Sequence, residues 1–280
     1  MIKKVDTYAL TWRFPLIIWQ LLFFVGPLVF MISITFFLVK NYRMTEAFEM
    51  KNWIKMLTRG YFWDAYAYTL WLATLSTVIT SCIAFPASYA LSFKVSETTR
   101  RWAIFFLIIP FFTSYLVRTF SWYVVLAESG VFNSLIGEIG LGPYKILNTQ
   151  VGTIIGYLTF CLPLVIILQT LSLANVDRNL IEAAYNLGAG WARTLLTVIV
   201  PSAKVGLIIG AVFCFILSYG DFVSPYYLGG SKPPTLSILI IDTTKSGQQW
   251  PRAAVVAVMM MSTLMIVAFA AILAAYRKPR

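Results

Sequence analysis

Histidine is absent from all 280 residues, acidic residues number only 11, and charged residues of both signs make up just 12% of the chain. Without imidazole, the usual general base and proton relay near neutral pH is missing, and no mixed Cys/His metal site can be completed. The three cysteines, Cys82, Cys161 and Cys214, fall inside apolar runs at no metal-like spacing, so they read as packing residues. Neither a G-x-S-x-G nucleophile elbow nor an H-E-x-x-H pattern occurs. No Gly-Lys dipeptide occurs either, which excludes a Walker A phosphate loop. If ATP energy drives this protein, another chain binds the nucleotide.

What the chain has in excess is apolar surface. Hydrophobic residues reach 59% and the mean hydropathy is +0.78, far outside the needs of a soluble domain of this length. Runs near or above the ~20 residues that cross the hydrocarbon layer lie at Phe14 to Val39, Ala67 to Phe93, Trp102 to Leu126, Val151 to Leu173, Val205 to Val223 and Ala253 to Tyr276. The expected class is an all-α integral membrane protein with six transmembrane helices. Outer-membrane strands would instead read as ~10-residue alternating segments.

The first run follows Lys3, Lys4 and Arg13 and is longer than a signal-peptide h-region, so it is read as a retained helix. The short basic clusters Lys94/Arg100/Arg101 and Arg277/Lys278/Arg280 place both termini in the cytoplasm. On that basis residues 1-13 are a cytoplasmic N-terminus and 14-66 the first helix with its periplasmic loop. Residues 67-276 form a five-helix core, and 277-280 a cytoplasmic tail. The net charge of +11 is then a topology signal with attraction to anionic membrane lipids, not a nucleic-acid footprint. Pro27, Pro86, Pro110 and Pro163 fall within spans and read either as ordinary packing or as kinks, and Leu236 to Ile241 is an apolar run too short to span.

Between the fourth and fifth runs lies a polar interruption, Ile181-Glu182-Ala183-Ala184-Tyr185-Asn186-Leu187-Gly188. Asp177 or Asn179 can cap a helix start, and Asn179 with Glu182 has capping-box spacing. Leu180, Ala183, Ala184 and Leu187 recur at three- and four-residue intervals as one apolar stripe. Gly188 supplies the stop, and a second helix from about Trp191 is expected to break at Pro201. The spacing therefore predicts a short helix at about 177-190, a glycine elbow and a second helix. Two adjacent alanines let another surface approach the backbone closely.

Glu182-Ala183-Ala184, then Gly188, then Val198, Val200 and Pro201 resemble the EAA signature of permease subunits of bacterial ABC importers. Tyr115 to Thr119 with Trp122, Gly130 to Asn133, Ser218 to Pro225 with Gly229-Gly230, and Trp250-Pro251-x-Ala253-Ala254 narrow the resemblance to spermidine/putrescine permeases. The resemblance implies a MetI-like bundle in the bacterial cytoplasmic (inner) membrane, with a coupling role for Glu182, Ala183, Ala184 and Gly188. It also implies a dimer of ABC ATPase subunits that holds ATP and magnesium, so this chain carries no cofactor and is not itself an enzyme. A second, distinct permease subunit and a periplasmic or lipid-anchored substrate-binding protein complete the set. Selection of cargo rests with that binding protein; a polyamine is the expected cargo, with opines, phosphonates and amino acid derivatives as alternatives.

Pathway residues have two readings each. Arg118 is either a pathway or gate residue or a snorkelling arginine tied to carbonyls or to Glu128. Asp221, near Tyr219, Phe222, Tyr226 and Tyr227, is either a carboxylate for a cationic ligand or a loop cap. With Trp122 these form the candidate substrate pathway. A self-contained secondary transporter is the alternative class, set aside for want of an internal repeat and of intramembrane carboxylates. Only the importer reading requires an ATPase partner, so co-purification with one separates the two.

Overall fold

A computed structural model describes residues 7–277. Lys3, Lys4, Lys278 and Arg280, used above for topology, lie outside the described residues. The chain divides into two compact units, one of residues 1–63 and 239–261, the other of 64–238 and 262–280.

The first unit opens with α1 (Thr7–Gln20), a π-helical turn (Leu21–Val25) and α2 (Gly26–Ile34). The Gly26 amide reaches back to the Leu21 carbonyl, so the ladder slips by one residue just before Pro27, which has no amide to donate. The apolar window of this span buries none of its residues against the rest of the described chain. The helix stops at Ile34, short of the expected Val39, because Leu38–Lys40 (β1) pairs antiparallel with Arg43–Thr45 (β2). Asn41 and Tyr42 turn that hairpin with positive φ. A helix α3 (Lys51–Leu57) follows, fixed by Asn52, whose amide donates to the Thr35 and Phe37 carbonyls at 2.9 and 2.7 Å.

Next comes α4 (Gly60–Phe93), 34 residues long. Within the second unit, Ser76, Thr80, Ala84, Ser88 and Ser92 recur every fourth residue along it and are all buried. Small polar residues at that interval let membrane helices approach closely and exchange hydrogen bonds. Ser88 and Ser92 accordingly reach the Ile166 and Thr170 carbonyls at 3.1 and 3.2 Å as well as their own preceding turns.

The third expected span, Trp102 to Leu126, is not one helix. It consists of α5 (Glu97–Ile108), a 3-10 turn (Ile109–Phe112) and α6 (Tyr115–Leu126), with a 92° bend at the break and α7 (Val131–Gly137) beyond. Pro110 lies in the turn, where its missing amide favours the break. Pro86 and Pro163 stay inside continuous helices.

The central element is α8 (Gln150–Ala174), which buries residues along its whole length, from Gly152 to Leu173. After it come α9 (Arg178–Asn186), α10 (Trp191–Thr194), a second π turn (Leu195–Ile199), α11 (Val200–Ser202) and α12 (Lys204–Gly220). The expected break at Pro201 falls instead after Ser202, with a 74° bend; the π turn absorbs the proline's missing amide. The fifth span thus ends at Gly220, not Val223, and α13 (Val223–Tyr227) follows as a separate turn. Against α8, the backbone of α12 comes so close at Gly206 that an added Cβ would overlap the Ser172 side chain. The chain ends with α14 (Leu236–Lys245), too short to span, and α15 (Trp250–Tyr276). Among the described residues four helices are long and apolar enough to cross a membrane, or six if each bent pair crosses as one span.

Candidate functional site

The interruption folds as a capped helix with an elbow. Asp177 is its N-cap, its carboxylate accepting the Asn179 amide at 2.9 Å, so the alternative cap at Asn179 and its capping box with Glu182 are not used: Asn179 is already helical. At the other end Gly188 has φ +78°, the Ala189 amide returns to the Ala184 carbonyl at 3.0 Å, and the Gly188 amide reaches Tyr185 at 2.9 Å. That pair of bonds is a Schellman stop, and the left-handed residue it requires is the glycine.

The helix is anchored on one side only. Ile181 packs on a core cluster of Leu173, Val176, Ile199 and Ala203, and Ala184 is half-buried. Leu180, Ala183 and Leu187 of the expected stripe are exposed, Leu187 at 88%. Glu182 is exposed and forms no ion pair among the described residues. Below the helix, a cleft of about 200 Å³ is lined by Tyr89, Lys94, Arg178, Ile181, Glu182 and Tyr185. The Trp191 indole donates to the Tyr89 hydroxyl at 3.1 Å, tying the elbow to the end of α4.

Each pathway candidate has its own set of partners. Asp221 accepts three bonds, from the Val223 and Ser224 amides at 2.9 and 3.0 Å and from the Tyr115 hydroxyl at 2.6 Å, which is the loop-capping geometry. Arg118 donates to the Pro110, Thr113 and Thr159 carbonyls and to the Thr113 hydroxyl, clamping the elbow between the two halves of the broken span. Its bonds go to carbonyls and a hydroxyl, not to Glu128, which is exposed. Tyr219 is fully buried and stacked on Phe215 with ring centroids 5.5 Å apart. Trp122 packs on the Leu126, Leu147 and Leu228 cluster and lines an apolar cleft of about 620 Å³.

One polar residue escaped the sequence reading. Gln169 is 2% exposed, its amide nitrogen donates to the Ser81 carbonyl at 3.3 Å, and its amide oxygen has no partner. Gln169 and Ser81 both line a cleft of about 520 Å³ with Phe85, Pro86, Leu207 and Ala211. A glutamine inside an apolar run is the signal, and an uncharged one, so it leaves the charge pattern of the run unmarked.

The sequence pattern of the family described as binding-protein-dependent transport system inner membrane component matches residues 80–280. The chain belongs to this family. It is a multi-pass inner-membrane component. Among curated relatives, the spermidine/putrescine transport system permease protein PotB of Escherichia coli K12 is 26% identical over 94% of both chains. That of Haemophilus influenzae is 29% identical over 66% of this chain and 67% of its own. In fold, the transport component is similar to a chain of a bacterial ABC transporter involved in import of the acidic polysaccharide alginate, with TM-score 0.74 at 16% identity. That match covers 98% of this chain and 97% of the other. A chain of the MetNI methionine ABC transporter matches with TM-score 0.54 at 16% identity over 79% of this chain and all of the other.

Proposed function

We propose that this chain is one of two permease subunits of an ATP-driven importer of polyamines, and that a cytoplasmic ATPase acts on it through α9. The observation that carries the coupling role is the exposed edge of Leu180, Ala183 and Leu187 on a helix capped at both ends. Apolar side chains held in water by a rigid short helix favour a docked partner. Glu182 adds a carboxylate to that edge. With α9 on the cytoplasmic side, both termini lie there too, as the basic clusters indicate.

The polyamine cargo rests on the curated relatives aligned over nearly the whole chain, which are named spermidine/putrescine permeases. ATP and magnesium belong to the ATPase dimer, and cargo capture to an extracytoplasmic binding protein. The second permease is a distinct chain. Arg118 and Asp221 act as positioning residues, Arg118 on the elbow of the broken span and Asp221 on α13. Gln169 and Ser81 offer neutral acceptors beside the cleft, suited to an ammonium group.

A second reading has one observation behind it. A putative 2-aminoethylphosphonate permease of Salmonella typhimurium is 27% identical over 63% of this chain and 58% of its own. Thermal-shift screening of the partner binding protein with putrescine, spermidine, 2-aminoethylphosphonate, opines, amino acids and ferric ion separates the cargoes. Uptake of labelled polyamine into vesicles holding the complete system, dependent on internal ATP, is the expected result. A binding protein stabilised by the phosphonate and not by polyamines would overturn the cargo.

A further inference from the structure

Four cations of the first unit have no role in the function proposed above. Lys51 and Lys55 stand one helical turn apart on α3, Arg59 follows a turn later beyond its end, and Arg252 occupies the first turn of α15. The Lys55 ammonium is pushed below the usual lysine range by the Arg252 guanidinium first, then by desolvation and by Arg59 and Lys51. No carboxylate is among the charges acting on it. The Arg252 Nε is buried with no hydrogen-bond partner, so one edge of its guanidinium fork is withdrawn from water and unsatisfied. Four like charges gathered this way repel one another, and an anion placed among them would relieve the repulsion.

Apolar and aromatic surface borders the cations. The Arg59 guanidinium lies 5.8 Å from the Tyr61 ring centroid. Tyr61, Trp63 and Trp250 are about half exposed, and Ile54 projects from α3. Trp63 is held by its indole N–H, which donates to the Leu57 carbonyl at 2.8 Å. Exposed Trp and Tyr beside Lys and Arg mark the headgroup layer of a spanning protein. The 34 residues of α4 extend to ~51 Å against a hydrocarbon layer of ~30 Å, leaving length for Tyr61 and Trp63 to reach that layer.

We propose that Lys51, Lys55, Arg59 and Arg252 bind the phosphate diester of an anionic phospholipid headgroup, whose acyl chains lie along Ile54, Tyr61, Trp63 and Trp250. A purely electrostatic dock for an acidic protein would need the cations alone. Cations joined to exposed aromatic and aliphatic surface match a ligand that is anionic at one end and apolar at the other. The site is independent of cargo and of the ATPase.

Native mass spectrometry of the purified full-length protein, offered dioleoyl phosphatidylglycerol or dioleoyl phosphatidylcholine, tests it. The expected result is a preference for phosphatidylglycerol of about tenfold or more, since cations near the membrane surface favour anionic lipid. Lys51→Gln/Arg59→Gln, both at exposed positions, should lower the preference severalfold, while Lys145→Gln, an exposed lysine outside the cluster, should not. Raising salt from about 50 to about 500 mM should weaken retention of phosphatidylglycerol only. Melting temperature in phosphatidylcholine checks folding, and Lys51→Gln alone serves if the pair unfolds. Equal retention of the two lipids, or an unchanged preference in the variants, would overturn the proposal. So would displacement of the lipid by inorganic phosphate alone, which would make the ligand a soluble anion. Variants that lose only the binding of an acidic partner protein, with lipid preference intact, would reassign the cluster and overturn it too.

Discussion

The Tyr115 hydroxyl donates to the Asp221 carboxylate at 2.6 Å across 106 residues of sequence, joining the start of α6 to the start of α13. The same hydroxyl lies 2.5 Å from the Ser224 hydroxyl, and Asp221 also accepts two amides of α13. A carboxylate with three donors inside a membrane protein holds backbone in place.

Tyr115→Phe and Asp221→Asn should therefore each destabilise the protein by about 1–3 kcal/mol, because each leaves a half-buried polar partner unmatched. The double variant should cost less than the sum, since the two residues share one bond. Thermal denaturation in detergent measures all three. Asp221→Asn with normal stability and a selective loss of cation uptake would return Asp221 to the substrate path.

At the elbow, Gly188→Val should cost ~1–2 kcal/mol of local strain, because φ +78° is left-handed and no neighbour would otherwise meet the new Cβ. Gly188→Asn should be tolerated better, since asparagine enters that region readily. Leu187→Asp should leave stability within about 0.5 kcal/mol, as expected for an exposed position, yet abolish co-purification of the ATPase. Retention of the ATPase by Leu187→Asp would argue against docking on this edge.

Gly206→Ala should disturb the contact of α12 with α8, because its Cβ would fall on Ser172. Overpacking of this kind costs ~1–3 kcal/mol. Ser172 also donates to the Ala203 carbonyl at 2.8 Å, so it cannot swing away without losing that bond. Ser172→Gly should rescue Gly206→Ala in part, and melting temperatures of the two single variants and the pair test this.

Gln169→Leu should be neutral or stabilising, because it removes a buried amide oxygen that has no partner. If the amide serves transport, uptake should fall while stability holds or rises. An unchanged uptake rate in a well-folded Gln169→Leu protein would remove the residue from the pathway.

The parts of the fold legible in sequence were those decided locally. Gly188 was readable as a stop because the conformation it permits is its own property, and the apolar runs marked the spans by length. The elbow of the third span was not readable: Pro110 looks like Pro86 and Pro163 in sequence, and the break is completed by Arg118 donating back to the Pro110 and Thr113 carbonyls. Asp221 was recognised as a carboxylate among aromatics, but its Tyr115 partner comes from a distant segment. Of the expected stripe on α9 the spacing was right, and the burial was unreadable because nothing local says which face meets the core. Asn179 lost the cap to Asp177 by two residues, a competition between neighbours that composition cannot decide.

The π turn at Leu195–Ile199 sets an azimuth. It holds one residue beyond α-helical register between the elbow and the 74° bend, and one residue is worth ~100° of rotation about a helix axis. Straightening that turn to α-helical register with all its residues kept would turn α9 by about that angle relative to α12. The outward edge of Leu180 and Leu187 would then point elsewhere with every one of its side chains intact, so the phase of this short rod, as much as the chemistry of α9, decides what can grip it.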